Sequence, residues 1–288
     1  MEFCMNFLAI LIDLLAIVIG VSFGTIWRGK LSVAYQRVVL VACGLVATVV
    51  GLFGIYDSLF VFSEEKFEID GSMLIVFALV TGTVLGGGFG VSKLFAFLGA
   101  HIGKFVAKEE KKEYFRAQRL AQSKKSKDGK KHLYDLPTYD IAPTRFENRH
   151  VEGFVVSAMI LTFGFLAITA PYQSGARISE TPFYIKAGLG AVLSFALSMV
   201  YGASVYFAAI PVALCDVITT IFVVTSDLTA DTPVWGQTAV ICSVIMLAAG
   251  LCLAFGKKFK VENMIPAIFI PPIYYGVIDL AMKIAGEG

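Results

Sequence analysis

Apolar residues along this chain fall into blocks of about 20, the length that spans the hydrocarbon core of a bilayer as a helix. Eight such blocks are legible, near residues 3–27, 33–55, 72–98, 151–171, 182–205, 207–226, 234–256 and 262–282. Polar and apolar positions do not alternate within them, so the strands of a membrane barrel are not indicated. A chain crossing lipid must satisfy its backbone hydrogen bonds internally, which leaves helices or closed barrels. The pattern predicts an all-α, polytopic membrane protein of about eight spans, some of them broken or re-entrant. The blocks 182–205 and 207–226 are joined by no charged turn, only Tyr201-Gly202-Ala203-Ser204 with Pro211 beyond. Two full crossings and a re-entrant pair both fit that stretch.

Composition strengthens the membrane reading. Of 288 residues, 57% are hydrophobic and 16% charged, against roughly 25% charged in a typical soluble domain. Charge then orients the spans. Arg28, Lys30 and Arg37 flank the first turn, and Lys257, Lys258 and Lys260 the last. The long segment 99–150 carries 13 Lys/Arg against 7 Asp/Glu. The turns at 56–71 and 226–233 are acidic, with Asp57, Glu64, Glu65, Glu68, Asp70, Asp227 and Asp231. Basic turns mark the cytoplasmic side, so both termini are predicted outside. The chain divides into spans one to three (1–105), a basic cytoplasmic insertion (106–150) and spans four to eight (151–288). Within the insertion, 107–122 has the composition of a helix and 132–149 reads as irregular. Membrane lipid is an expected partner, with homo-oligomerisation open; no nucleic-acid motif accompanies the basic run.

Candidate chemistry lies in the few polar groups inside the spans. Asp216 is the only charged residue between Lys186 and Asp227, and Asp13 the only one between Glu2 and Arg28. A carboxylate near mid-bilayer costs ~2.5–3.5 kcal/mol on insertion scales, so it usually faces a partner, a cavity or a pathway. At helical spacing, Asp13 shares a small, polar stripe with Asn6, Ala9, Ala16, Gly20 and Gly24, while Leu8, Leu11, Leu15 and Ile19 point elsewhere. Asp216 has Thr219 and Thr220 on its face, and Pro211 removes a backbone donor nearby. Asp13, Asp216, Thr219, Thr220 and Asn6 are therefore the predicted ligands for a proton, a cation or a small solute. Gly82, Gly86 and Gly90 recur every four residues with Gly87 and Gly88 beside them, a pattern for close helix packing or a locally unwound pathway. Pro266, Pro271 and Pro272 predict a kink or break in the last span. Lys93, Glu152, Lys186 and Asp279 stand near span ends, where snorkelling is the ordinary expectation; Glu152 and Lys186 could also pair.

Enzymatic chemistry finds no parts. His101, His132 and His150 fall in or beside the basic segment without ligand spacing, and none lies inside a predicted span. The five cysteines form no CxxC pair. No catalytic group, metal site or cofactor is expected.

The segments LLAIVIGVSFG (14–24), ALVTGTVLGG (78–87), VEGFVVSAMI (151–160), AIPV (209–212) and KVENMIPA (260–267) together resemble the YqgA-like bacterial inner-membrane family, domain of unknown function 554. The resemblance implies a bacterial plasma-membrane location and assigns no activity. It also carries departures. The family pattern has asparagine at the position of Asp13, glutamine at Asp216, glutamate at Gly87 and aspartate at Gly190. If those positions cluster, the exchanges conserve local charge. The resulting expectation is a secondary transporter or channel with an intramembrane carboxylate site near the midplane. The alternative is a non-transporting scaffold in which the aspartates are interhelical hydrogen-bonding groups.

Overall fold

A computed structural model of the chain describes residues 2–28, 32–61, 69–108, 143–164, 166–176, 178–225, 234–256 and 259–285. Every element in those residues is helical: α1 (Glu2–Trp27), α2 (Val33–Val61), α3 (Ile69–Phe89), α4 (Val91–Lys108), α5 (Pro143–Thr162), α6 (Leu166–Gly175), α7 (Thr181–Tyr201), α8 (Ala209–Thr225), α9 (Val234–Phe255) and α10 (Ile270–Ala285). Two 3-10 helices, Gly202–Ala208 and Val261–Phe269, lead into α8 and α10. Among the described residues, five helical stretches are long and apolar enough to cross a membrane, or up to seven if each bent pair counts as one span. One of the five is the 45-residue stretch Thr181–Thr225, and it is folded back on itself. Lys186 touches Asp216, whereas one continuous helix would hold residues 30 apart at about 45 Å. Gly202, with φ 75°, sits at the reversal, in the left-handed region that glycine enters without steric cost.

Small residues set the packing, and their partners give helix directions. Side-chain atoms added at Gly20 would meet Ala191 and Ser194 of α7, and at Gly24 they would meet Phe195 and Ser198. The partner numbers rise together, so α1 and α7 run parallel. Gly44 faces Gly250 and Ala254 of α9, and Gly51 faces Leu247 and Ser243; those numbers fall, so α2 and α9 are antiparallel. Gly82 and Gly86 of α3 abut Ala267 and Asn263. The predicted α1 stripe is the buried one: Ala9, Asp13 and Gly20 are covered while Leu8, Leu11, Leu15 and Ile19 are exposed. Ser194 Oγ donates to the Ile17 carbonyl at 3.2 Å, and Tyr206 Oη donates to Ser22 Oγ at 2.8 Å, fixing α1 to α7 and the turn after it. At the far end of α7, Arg149 donates to Gln36 Oε1 at 3.0 Å and to the Val200 carbonyl, which ties α2, α5 and α7 together.

Three predicted elements differ from expectation. The third block is not one helix: it breaks at Gly90, φ 69°, with a 55° bend between α3 and α4. The broken end is capped from the last block, since Ser92 N–H donates to Asn263 Oδ1 at 3.1 Å. The fourth block also breaks, bending 47° between α5 and α6 around Gly164, whose φ of 152° is closed to ordinary side chains. Residues 143–149, expected irregular, are the first turns of α5; Pro143 is tolerated there because a helix's first N–H groups have no intrahelical partner. The proline-rich last block is 3-10 helix followed by α10, as consecutive prolines demand. The proposed helix at 107–122 lies outside the described residues beyond Lys108.

Candidate functional site

The two intramembrane aspartates lie on one ammonium group. Asp13 projects from the middle of α1 and Asp216 from the middle of α8, and each is 0% exposed. Between them stands Lys186 of α7, 7% exposed. Its Nζ donates a hydrogen bond to Asp216 Oδ1 and lies 3.3 Å from Asp13 Oδ2. The same ammonium sits 5.7 Å from the centroid of the Phe183 ring, one turn back on α7, which adds a cation–π contact. Snorkelling at a span end is therefore the wrong reading of Lys186. Its helix presents residue 186 to α1 and α8, and α1 covers that face along its glycine stripe. Nor does Lys186 pair with Glu152, which stands at the opposite end of the bundle near Tyr201 and Arg149.

Burial makes this arrangement strained unless every charge is matched. Taking an ion out of water costs several kcal/mol even after relaxation, repaid only by close pairing and further hydrogen bonds. The Lys186–Asp216 pair closes directly. The oxygens turned away from the ammonium, Asp13 Oδ1 and Asp216 Oδ2, are both buried with no hydrogen-bond partner among the described residues. Asp13 adjoins a cavity of about 30 Å³, large enough to hold water or a small ion. Asp13, Ile17, Thr162, Gly164, Lys186 and Gly190 are among its lining residues. The break between α5 and α6 forms one wall, so the carbonyl end of α5 and the N–H end of α6 both adjoin it. Met159 O recovers a donor from Phe163 N at 3.2 Å. Thr162 Oγ1 is buried without a hydrogen-bond partner among the described residues.

The remaining predicted residues divide. Thr220 is buried on the Asp216 face of α8, with Oγ1 unpartnered among the described residues; Thr219 is half-buried. Asn6 lies on α1, and its side chain is outside the described residues. Pro211 does not open carbonyls beside Asp216. It is the third residue of α8, in the first turn, where a missing N–H breaks no intrahelical bond. Gly82 and Gly86 serve close packing, Gly90 the helix break, and Gly87 neither. It is exposed, and a Cβ there would meet nothing within 4 Å. His150, placed by sequence outside any span, is fully buried at the start of the α5 span. No group of three or more metal-ligating side chains occurs among the described residues.

Half of the family's charge exchange is spatially meaningful. A Cβ on Gly190 would lie 3.7 Å from Asp13 Oδ1 and 3.4 Å from Ile17 Cγ1, so an aspartate at 190 would reach the same cavity from α7. An acid at the open Gly87 position would not.

The comparison with known proteins bears this family out. The sequence matches the family described as "Protein of unknown function (DUF554)" over residues 8–276. The chain belongs to this family. Its match spans every element from α1 into α10, including the three helices that supply the triad. A relative from Bacillus subtilis (strain 168), the uncharacterized membrane protein YdfK, is 23% identical over 127 residues, covering 44% of this chain and 56% of that protein. The chain thus matches little more than half the length of this curated relative. No solved structure matches. The chain is accordingly a helical membrane protein of the DUF554 family.

Lys186 and Thr162 are the functional candidates that sequence reasoning missed. Lys186 carried a usable signal: it is the last charge before the 29 uncharged residues that lead to Asp216, six positions inside α7 and close enough to the core for its long side chain to turn inward. Thr162 carried none without the helix break beside it.

Proposed function

We propose that this DUF554 protein is a membrane transporter or channel for a small solute or ion, with Asp13, Lys186 and Asp216 as its intramembrane site. The observation that carries the reading is the buried triad at a cavity beside a broken helix. Transporters commonly bind their substrates and coupling ions where discontinuous helices expose half-helix ends near the midplane. Non-helical backbone at that depth is tolerated where it lines a cavity or is covered by protein, as at Phe163 and Gly164. In the proposed setting, the protein sits in the bacterial plasma membrane with both termini outside. The exposed Leu, Val and Phe side chains of α1, α2 and α3 then face lipid.

The test is flux in proteoliposomes. Purified protein is screened for uptake of alkali cations, protons and small charged solutes, and the active solute is then measured with Asp13→Asn and Asp216→Asn. Both variants are expected to lose most of the flux. Unchanged flux in both would sink the assignment. The scaffold reading draws on the directly closed Lys186–Asp216 pair, which could act as interhelical glue. It predicts that a cysteine at position 13 never reacts with a small polar thiol reagent, whereas the transport reading predicts labelling from one side of the membrane.

A further inference from the structure

Charge at the triad does not balance. Two carboxylates meet one ammonium, and among the described residues Asp13 and Lys186 are the only charged side chains lining the cavity. The Lys186–Asp216 hydrogen bond neutralises Asp216. Asp13 is left as the charge in excess, with one oxygen 3.3 Å from Lys186 and the other without a hydrogen-bond partner among the described residues. An uncompensated carboxylate in such surroundings is costly. One more positive charge at the cavity would remove the imbalance.

The cavity offers the ligands for it. Asp13 Oδ1 and Thr162 Oγ1 are both buried and both lack a hydrogen-bond partner among the described residues, and both residues line the same space. The last turn of α5 ends at Thr162, where carbonyls lose their intrahelical donors and the helix dipole is negative. Carboxylate, hydroxyl and carbonyl oxygens are ligands for a hard cation. A divalent ion would replace an excess of one negative charge with an excess of one positive charge, and it normally takes six or more oxygens. An anion would deepen the imbalance.

We infer that the cavity bounded by Asp13, Thr162 and the α5–α6 break binds one small alkali cation, while the Lys186 ammonium balances the charge of Asp216. This rests on the same triad as the proposed function and names the class of ion it takes, and it holds whether or not that ion crosses the membrane. Other titratable side chains on the packed elements are Cys215 next to Asp216 on α8, Cys242 on α9, Cys43 on α2 and Tyr172 on α6, whose ring meets Trp235 at 5.3 Å. Glu180, before α7, accepts a hydrogen bond from Ser174 at 2.9 Å. Arg149, His150 and Glu152 belong to the opposite end of α5. None of these lines the cavity.

The experiment follows thermal unfolding of the full chain in detergent by tryptophan fluorescence, with choline chloride replaced stepwise by lithium, sodium or potassium chloride at constant ionic strength. At neutral to alkaline pH, at least one alkali cation is expected to raise the midpoint saturably. Magnesium should not substitute. Asp13→Asn should abolish the cation response and raise the cation-free midpoint, because it removes the excess charge and leaves a neutral Lys186–Asp216 pair. A purely structural Asp13 predicts the opposite, a lower midpoint. Thr162→Val should raise the half-effect concentration severalfold. Absence of a saturable, cation-specific shift in the wild type overturns the inference, as does a shift that survives Asp13→Asn. Cation binding without flux would defeat only the transport reading. Flux of a solute with no alkali-cation dependence would defeat only this inference.

Discussion

Lys186 is where the electrostatics of this protein converge. Removing it leaves two buried carboxylates facing one another across the space its ammonium filled. Lys186→Met is therefore expected to destabilise the protein on the order of 3–5 kcal/mol, the usual cost of stripping one partner from a buried pair. The loss should shrink in Lys186→Met/Asp216→Asn, since a neutral amide no longer opposes Asp13. Thermal unfolding of the single and double variants checks this; equal losses would show that charge is not what Lys186 contributes. A second prediction uses the space beside Asp13. The Cβ distances at Gly190 are ordinary van der Waals contacts, so Asp13→Asn/Gly190→Asp should fold and recover the cation response lost in Asp13→Asn alone. Both aspartates were visible in the sequence because hydropathy is local, and one acid in a long apolar run stands out. Their partner was not. Whether a lysine six residues into a helix turns outward or inward depends on which neighbour covers that face.

Helix contacts here depend on single glycines, and their effects differ by face. Gly86 would drive a Cβ into the Asn263 backbone, while Gly87, the next residue, opens onto nothing within 4 Å. Gly86→Ala is expected to cost ~1–3 kcal/mol through overpacking. Gly87→Ala should be neutral or stabilising by up to ~1 kcal/mol through helix propensity. Unfolding midpoints of the pair measure the contrast, and similar values would contradict the packing of α3 on the 3-10 helix. The glycine ladder was legible as a pattern; which of its rungs carry packing was not, because one turn of helix holds both faces. Gly164 is a different case. A Cβ there would come 2.7 Å from Met246 Sδ, and its backbone lies in a region that costs other residues ~1–3 kcal/mol. Gly164→Ala should lower stability and also disturb cation response, since the break it makes is a cavity wall. Nothing in the surrounding apolar block marked that break, because apolar content is the same whether a helix continues or stops.

Over the whole molecule, α1, α2 and α3 from the first half each pack on an element from the second half: α7, α9 and the 3-10 helix before α10. The triad draws α1 from one half and α7 and α8 from the other. This depends on the chain reversing after Tyr201, and the reversal bears on membrane topology. With α7 and α8 as separate crossings, basic segments fall on one side throughout. In a cysteine-free background, a cysteine at Ser126 is then expected to label only from the cytoplasmic side, and one at Thr229 only from outside. Labelling of both from the same side would make 182–226 re-entrant.

Taken alone, the sequence determined that this is a helical membrane protein, which segments are apolar enough to cross, and where two carboxylates interrupt them. These follow from hydrophobicity, backbone hydrogen-bonding in lipid and residue spacing along one helix, all properties of neighbouring residues. Only the tertiary structure decided that Asp13 and Asp216 share Lys186, that α1 and α7 run parallel, and that a cavity opens beside Asp13. Lys186 and Asp216 are 30 residues apart, and Ser194 and Ile17 are 177 apart. The interactions between them depend on which helix faces meet, and no local pattern in the chain encodes that.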